Sequence, residues 1–368
     1  MDEAWLRARV WPRFSRVLAR PQIYLANHSL GRPPDRTAED ARAALDAWYR
    51  DLGEAWDPWL EAREKFRRLV GELVNAPSAD CIVPKTSAGQ GLRAVLNSFP
   101  GKAAVLTSDG EFDSLDFILR VYRRQGRIEL RALPFDEFRF APCDLLVVST
   151  VAFRTSKILP GLGSLVKEAH ARGALVLLDV YHHAGVLPLD LKALDADFAV
   201  GGSYKYLRGG PGACWLYVHP RHHGRVTLDT GWFAKKDVFS YQRPEPPQFG
   251  AGGDAWLEST PPVLEPVQAL AGLEITLELG IEAIRAHNLE QKRFLQARLP
   301  VEGGGSDYGA FVTLKRADAV RLSERLRSKG VETDARGEYL RLCPDYLNSE
   351  EELLRAVAVL EEQLLHAA

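Results

Sequence analysis

Between residues 102 and 218 the chain alternates continuous apolar runs with amphipathic ones, and this alternation restricts the possible folds more than any other feature. AAVLT (103–107), RIELRAL (127–133), DLLVVST (144–150) and ALVLLDV (174–180) read as strands. FDSLDFILRVYRRQG (112–126) and GLGSLVKEAHARG (161–173) read as helices. Strands that are apolar at every position are buried on both faces. Alternated with helices, they build a mainly parallel sheet flanked by helices, an α/β fold. The alternation breaks at about 219, and a Pro- and Gly-rich region runs to about 262. Two long helices follow, near 263–279 and 281–299, then strands near 309–314 and 338–343 with helices near 318–329 and 349–366. The pattern predicts a large domain over 51–262 and a smaller α+β C-terminal domain over 263–368, with 263–280 as the connecting helix. Residues 1–50 form an N-terminal segment expected to pack on the small domain and the active site.

That segment is irregular and Pro-rich for its first 35 residues. Thr37 with Asp40 resembles a capping box, and the helix it opens would place Ala41, Leu45, Trp48 and Leu52 on one apolar face. A second helix starts near Pro58 and ends before Pro77. In KTSAGQGLRAVLNSF (85–99), a Thr-Ser-Ala-Gly start precedes Leu92, Val95, Leu96 and Phe99 at helical spacing.

Composition removes several function classes. A net charge of -2 gives no footprint for nucleic acid or an anionic membrane. No apolar stretch approaches the roughly 20 residues of a spanning helix, and the N-terminus MDEAWLRARVWPRF, with scattered charges and no apolar h-region, does not read as a secretory signal. Cys81, Cys143, Cys214 and Cys343 are far apart, which argues against a zinc site or a disulfide framework and fits a reducing cytoplasm.

The stretch DFAVGGSYKYLRGGPGACWL (197–216) sets Lys205 in a glycine-rich turn between two apolar runs. A surface lysine in a hairpin turn is the simplest reading. Burial would instead lower the amine's pKa and make it a nucleophile. Ligands in an open parallel sheet bind beyond the carboxyl ends of the strands, and there LVLLDVYHHAG places Asp179 at the close of an apolar run. An N-cap is the plain role for that aspartate. A buried acid facing a heteroaromatic nitrogen and an imine-forming lysine are, however, the two protein groups that pyridoxal 5′-phosphate chemistry requires. The helix start at Ala88, Gly89 and Gln90 offers free N–H groups to a phosphate. Phe112 could stack on the cofactor ring or serve the core. His182 would hydrogen-bond near the cofactor, and no acidic or thiol ligands beside it suggest a metal. Arg341, within YLRLCP, needs an anionic partner, either a substrate carboxylate or a structural acid.

These residues together resemble a known family. LLDVYHHAGVLPLDL and DFAVGGSYKYLRGGPGACWLYVHP are similar to the kynureninase signature, in the class V branch of fold-type I pyridoxal phosphate enzymes. YLANHSLGRPP, VAFRTS, GWF and STPPVLEPVQAL extend the likeness over most of the chain. The resemblance implies Lys205 as the Schiff-base lysine, Asp179 as partner of the pyridine nitrogen, and Tyr204 on the phosphate and as a proton donor. It places His182, Phe112, Ser114 and Ser149 around the cofactor with the helix start at Ala88 to Gln90. Trp232 and Thr260 would reach the phosphate from the neighbouring subunit of a homodimer, and Arg341, Asn27 and His28 would bind the amino-acid substrate.

The chain also departs from that family. Phe112-Asp113-Ser114-Leu115 stands where the family has Phe-Pro-Ser/Thr-Asp, so an acidic group is displaced or lost. Gly231-Trp232-Phe233-Ala234-Lys235 lacks the family's histidine. The implied reaction is hydrolytic Cβ–Cγ cleavage of a kynurenine-like amino acid. The alternatives are a class V aminotransferase, lyase or cysteine desulfurase, or a non-catalytic protein on the same fold.

Overall fold

The computed structural model describes residues 1–365. Seven strands form the central sheet: β1 (Ile82–Lys85), β2 (Ala103–Ser108), β3 (Ile128–Leu133), β4 (Leu145–Ser149), β5 (Leu175–Asp179), β6 (Phe198–Gly202) and β7 (Cys214–Val218). Their order is β1-β7-β6-β5-β4-β2-β3. The pairs from β6 through β3 are parallel, while β7 is antiparallel to both its neighbours. The turn carrying Lys205 therefore does join a hairpin, but one in the middle of a buried sheet. The edge strand β1 was not legible as a strand, because Pro84 interrupts a run of only four residues.

Side chains alternate between two apolar layers, as strand geometry requires. Leu146, Val148, Val176 and Leu178 face helices Trp56–Leu73, Leu162–Ala171 and Leu264–Leu279. Leu145, Val147, Leu177 and Val200 face helices Ala88–Leu96 and Asp113–Arg124, with Trp256 closing that layer. The smaller C-terminal unit has an antiparallel sheet, Val312–Lys315 with Tyr339–Leu342 and Asp334–Arg336. It is joined to the N-terminal segment by the parallel pair Ile23↔Val331 and a bridge from Ala26 to Cys343.

The helix at 36–51 differs from its reading in the sequence. Its N-cap is Asp35, whose carboxylate accepts from Ser15 N–H, Ser15 Oγ and Arg16 N–H rather than capping its own helix. Ala44 and Ala47 are the buried face, packed with Trp59 and Val267. Leu45, Trp48 and Leu52, the predicted inner face, are exposed. Small side chains let the helix pack closely, and periodicity alone cannot say which of two mildly apolar faces a neighbour will cover.

Candidate active site

Two adjacent strands deliver their last residues side by side, next to a third. Ser149 at the end of β4 pairs with Asp179 at the end of β5, and Asp179 with Val200 of β6. Beyond β6 the chain turns back through residues 203–213, closed by Ser203 N–H to Ala213 O at 2.9 Å and Gly209 N–H to Ser203 O at 2.7 Å. Gly212, at φ +94°, lines the cavity. Gly201, Gly202 and Gly209 instead clear space for Trp215, Tyr181 and Ala269, so most of the turn's glycines serve packing rather than ligand approach. The N-terminal segment presses on the same turn: Gly31 N–H donates to Tyr204 O at 2.7 Å, and a Cβ at Gly31 would lie 1.9 Å from Lys205 O.

Lys205 is only 5 % exposed. It faces a cavity of about 400 Å³ that Asp179, His182, Tyr204 and Ser149 also line. Ala88 and Gly89 enter from one helix start, and Phe112 and Ser114 from the start of the helix Asp113–Arg124. Nine of the residues singled out in the sequence thus converge on one space. The Lys205 amine sits in an aromatic cage, 5.5 Å from the ring centres of Phe112 and Tyr181 and 5.6 Å from that of Tyr204.

Burial governs the electrostatics. It pulls the Lys205 amine well below its ordinary value, and the charge of Asp179 offsets part of that shift. It pushes the Asp179 carboxyl up, against a hydrogen bond from Tyr181 N–H at 2.9 Å and the charge of Lys205. His182 is held neutral by burial and by the Lys205 charge. Its Nε2 lies 2.7 Å from Lys205 Nζ and its Nδ1 3.1 Å from Tyr206 Oη, both within hydrogen-bonding distance. Burial raises the Tyr204 phenol to about 12, so it keeps its proton.

Six other candidates do not line this cavity. The Gln90 side chain is held by Thr86 N–H at 2.7 Å and donates to Glu258 at 3.0 Å, so it braces a neighbouring loop. Arg341 donates to Asp334 Oδ2 and to Phe153 O, each at 2.6 Å, and is buried in that pairing. Asn27 donates to Cys343 O at 2.9 Å, and His28 packs on Phe311, its ring centre 6.5 Å from that of His182. Asn27 Oδ1, both His28 nitrogens and Arg341 Nε are buried without a hydrogen-bond partner, although His28 Nε2 lies 3.7 Å from Asp334 Oδ2. Trp232 Nε1 donates to Thr260 Oγ1 at 3.0 Å on the exposed surface.

Ser87, part of the helix start already read from the sequence, caps that helix by accepting from Gln90 N–H at 3.1 Å. Other lining residues escaped the sequence reading, among them Tyr181, whose Oη contacts Cys214 Sγ at 2.6 Å in the wall. Beneath the floor lies Glu111, 3 % exposed. It accepts from Ser108 Oγ at 2.5 Å, Ser149 Oγ at 2.6 Å and Ser149 N–H at 3.0 Å. Burial lifts its carboxyl to about 7. A buried acid thus lies immediately before Phe112, although the acid of the resembled motif is missing after it. Arg93 and Phe153 also line the cavity. The only cue for Glu111 was its place after a strand end, which many solvated glutamates share.

The donor set fits pyridoxal phosphate. A buried amine of lowered pKa, a buried acid at a strand end, an aromatic wall and a helix start whose first N–H groups have no helical partner answer to its aldehyde, ring nitrogen, ring and phosphate. Among the described residues no group of His, Cys, Asp and Glu could hold a metal ion, and no helix is long and apolar enough to cross a membrane.

Comparison with known proteins agrees with this geometry. The model of the aminotransferase class-V family matches residues 50–320. A kynureninase of Bacillus mycoides is 29% identical over 380 residues, covering 92% of this chain and 88% of its own length. A kynureninase of Salinispora tropica is 29% identical over 358 residues, covering 85% and 83%. Among solved structures, a cystine C–S lyase bound to cysteine persulfide superposes with TM-score 0.83 at 19% identity, covering 94% of this chain and 98% of that one. The apo cysteine desulfurase of Thermococcus onnurineus also reaches 0.83, at 17% identity and 98% coverage of both chains. At such identities these superpositions establish the fold.

Proposed function

This chain belongs to the aminotransferase class-V family, whose members act on amino acids with pyridoxal 5′-phosphate, and from that premise we propose that it is a kynureninase-type hydrolase. The substrate would be an amino acid with an aryl ketone at its γ-carbon, cleaved between Cβ and Cγ to alanine and an aryl carboxylate. The observation that carries this reading is the match to kynureninases through nearly the whole chain. The aromatic wall of Phe112, Phe153, Tyr181 and Tyr204 suits an aryl substrate.

When bound, pyridoxal phosphate supplies an aldehyde that captures amines and a ring that draws electrons from the substrate α-carbon. Lys205 would hold the aldehyde end, Asp179 the ring nitrogen, and the Ser87–Gly89 helix start the phosphate. The Lys205 amine would take the proton from Cα, a role its lowered pKa allows near neutrality. His182 orients that amine through its 2.7 Å contact. Hydrolysis adds hydroxide to the γ-carbonyl carbon and a proton to Cβ. Tyr204, protonated and facing the cavity, is the donor for Cβ. Arg341, with Asn27 and His28 behind it, would meet the substrate carboxylate by exchanging its Asp334 partner.

A cysteine desulfurase requires a mobile thiolate. Cys81, Cys214 and Cys343 are buried here, and burial lifts the Cys143 thiol to about 11, which disfavours that outcome. The enzyme would act as a homodimer. Trp232 lies on an aromatic strip with the exposed Phe239 and Tyr241, continued through Phe233, Trp56 and Trp59 to the exposed Trp48. A monomer by sedimentation that still binds the cofactor tightly would contradict this.

The deciding assay incubates holoenzyme with L-kynurenine or 3-hydroxykynurenine and separates the products. Alanine and the matching anthranilate in equal amounts are expected. A keto acid in place of alanine would make the enzyme an aminotransferase, and no product from either would overturn the hydrolase reading.

A further inference from the structure

The helix start that faces the cavity carries a cation that the motifs do not account for. Besides Lys205, Arg93 is the one lysine or arginine lining the cavity among the described residues. It stands one turn after Gly89 on the helix Ala88–Leu96. Its side chain runs back along the helix, so Nη1 lies 3.5 Å from where a Cβ on Gly89 would sit. The guanidinium therefore hangs over the first helical turn, beside the unpartnered N–H groups. A helix start is the positive end of the helix dipole, and an arginine gains nothing there unless an anion lies between the two.

No such anion comes from the protein. Among the described residues the Arg93 side chain has no hydrogen-bonding or ion-pair partner; its backbone carbonyl accepts from Asn97 N–H at 2.8 Å. The nearby acid Glu258 is already held by Lys85 at 2.7 Å and by Gln90 at 3.0 Å. Lys85, the other cation of this region, also donates to Trp256 O at 2.9 Å and so is turned away from the cavity. The cavity's phosphate end thus has one uncommitted charge, with the fork geometry that matches two phosphate oxygens.

We propose that Arg93 clamps the cofactor phosphate from within its own subunit, together with the Ser87–Gly89 helix start. This rests on the cofactor assignment above and adds to it a residue outside the resembled motifs. It also gives the phosphate a charged partner that does not depend on a second subunit.

The test measures dissociation constants of pyridoxal phosphate and of pyridoxal, which lacks the phosphate, on apo-protein, from the visible absorbance of the adduct with Lys205. Wild type, Arg93→Ala and Arg93→Lys are compared. Arg93→Ala should bind pyridoxal phosphate roughly 10- to 100-fold more weakly and pyridoxal within about twofold of wild type. Arg93→Lys should recover part of the loss. Inorganic phosphate should compete with pyridoxal phosphate on wild type and less on Arg93→Ala. Unchanged affinity for pyridoxal phosphate in Arg93→Ala, or equal weakening of both compounds, would overturn the proposal and leave Arg93 a packing residue. Wild-type protein that takes up neither compound would overturn the cofactor assignment itself and the clamp with it.

Discussion

Two buried aspartates sit at opposite ends of neighbouring strands, and they have opposite fates. Asp197 precedes β6 at the end of the sheet away from the cavity. Its carboxylate accepts from Val176 N–H at 2.8 Å, His170 at 2.9 Å, His222 at 2.5 Å and Arg221 Nε at 2.8 Å. Those donors hold it well below the usual carboxylate range. Asp179 ends β5 at the cavity, with one donor, Tyr181 N–H, and a pKa pushed up by burial. A buried carboxylate surrounded by protein donors is complete, and it can only hold the fold together. One buried with a single donor and a lone lysine nearby keeps lone pairs for something the protein does not supply.

The largest effect that would break this contrast is on the lysine. Lys205→Ala should abolish covalent cofactor attachment and lower turnover by at least about 10³-fold, read from the visible spectrum and product formation. Full activity in that variant would remove the cavity from consideration. The two aspartates should then separate cleanly. Asp197→Ala leaves His222 without its acid, Arg221 and His170 with only Asp195, and Val176 N–H unpaired, and should destabilise the protein by roughly 3–5 kcal/mol in urea unfolding. Asp179→Asn should leave apo-protein stability within about 1 kcal/mol, since a buried charge is relieved, yet lower turnover by about 10²–10³-fold. Equal stability losses in the two variants would show that the donor count does not sort them.

The smallest effect concerns Glu111, on the Asp179 side of the comparison. Its folded pKa, about 7, lies above its ordinary 4.5, so the folded state holds its proton more tightly. Its contribution to stability is therefore fullest below pH 4.5 and is lost as pH rises to about 7. Besides Ser108 and Ser149, the charge of Asp179 acts on it. Glu111→Gln should remove this slope, so that its melting temperature gains on wild type by a few degrees between pH 5 and 7.5. A constant difference across that range would show that Glu111 does not titrate there.

The parts of the site readable in advance were those set by local chain chemistry. Asp179 closing an apolar run, Lys205 among glycines, and Ser87-Ala88-Gly89 opening a helix all depend on residues near in sequence. Gln90 and Arg341 were equally conspicuous, but their partners Glu258 and Asp334 are chosen by tertiary packing, and so are the orphaned nitrogens of His28. Arg93 looked like any helix-surface arginine until the cavity appeared beneath it. Trp48 and Leu52 looked like a core face until Ala44 and Ala47 took the inner side.

By itself, then, the sequence determined the layered α/β sheet, the strand ends from which a site must be built, and the acid–amine pair at its centre. These follow from periodicity and from the rarity of charge at the end of a buried strand. Tertiary structure alone decided how far each polar group is satisfied, because that depends on donors brought from distant segments. That satisfaction separates Asp179 from Asp197, buries Glu111 beneath Ser149, and leaves Arg93 facing the cavity without a counter-ion.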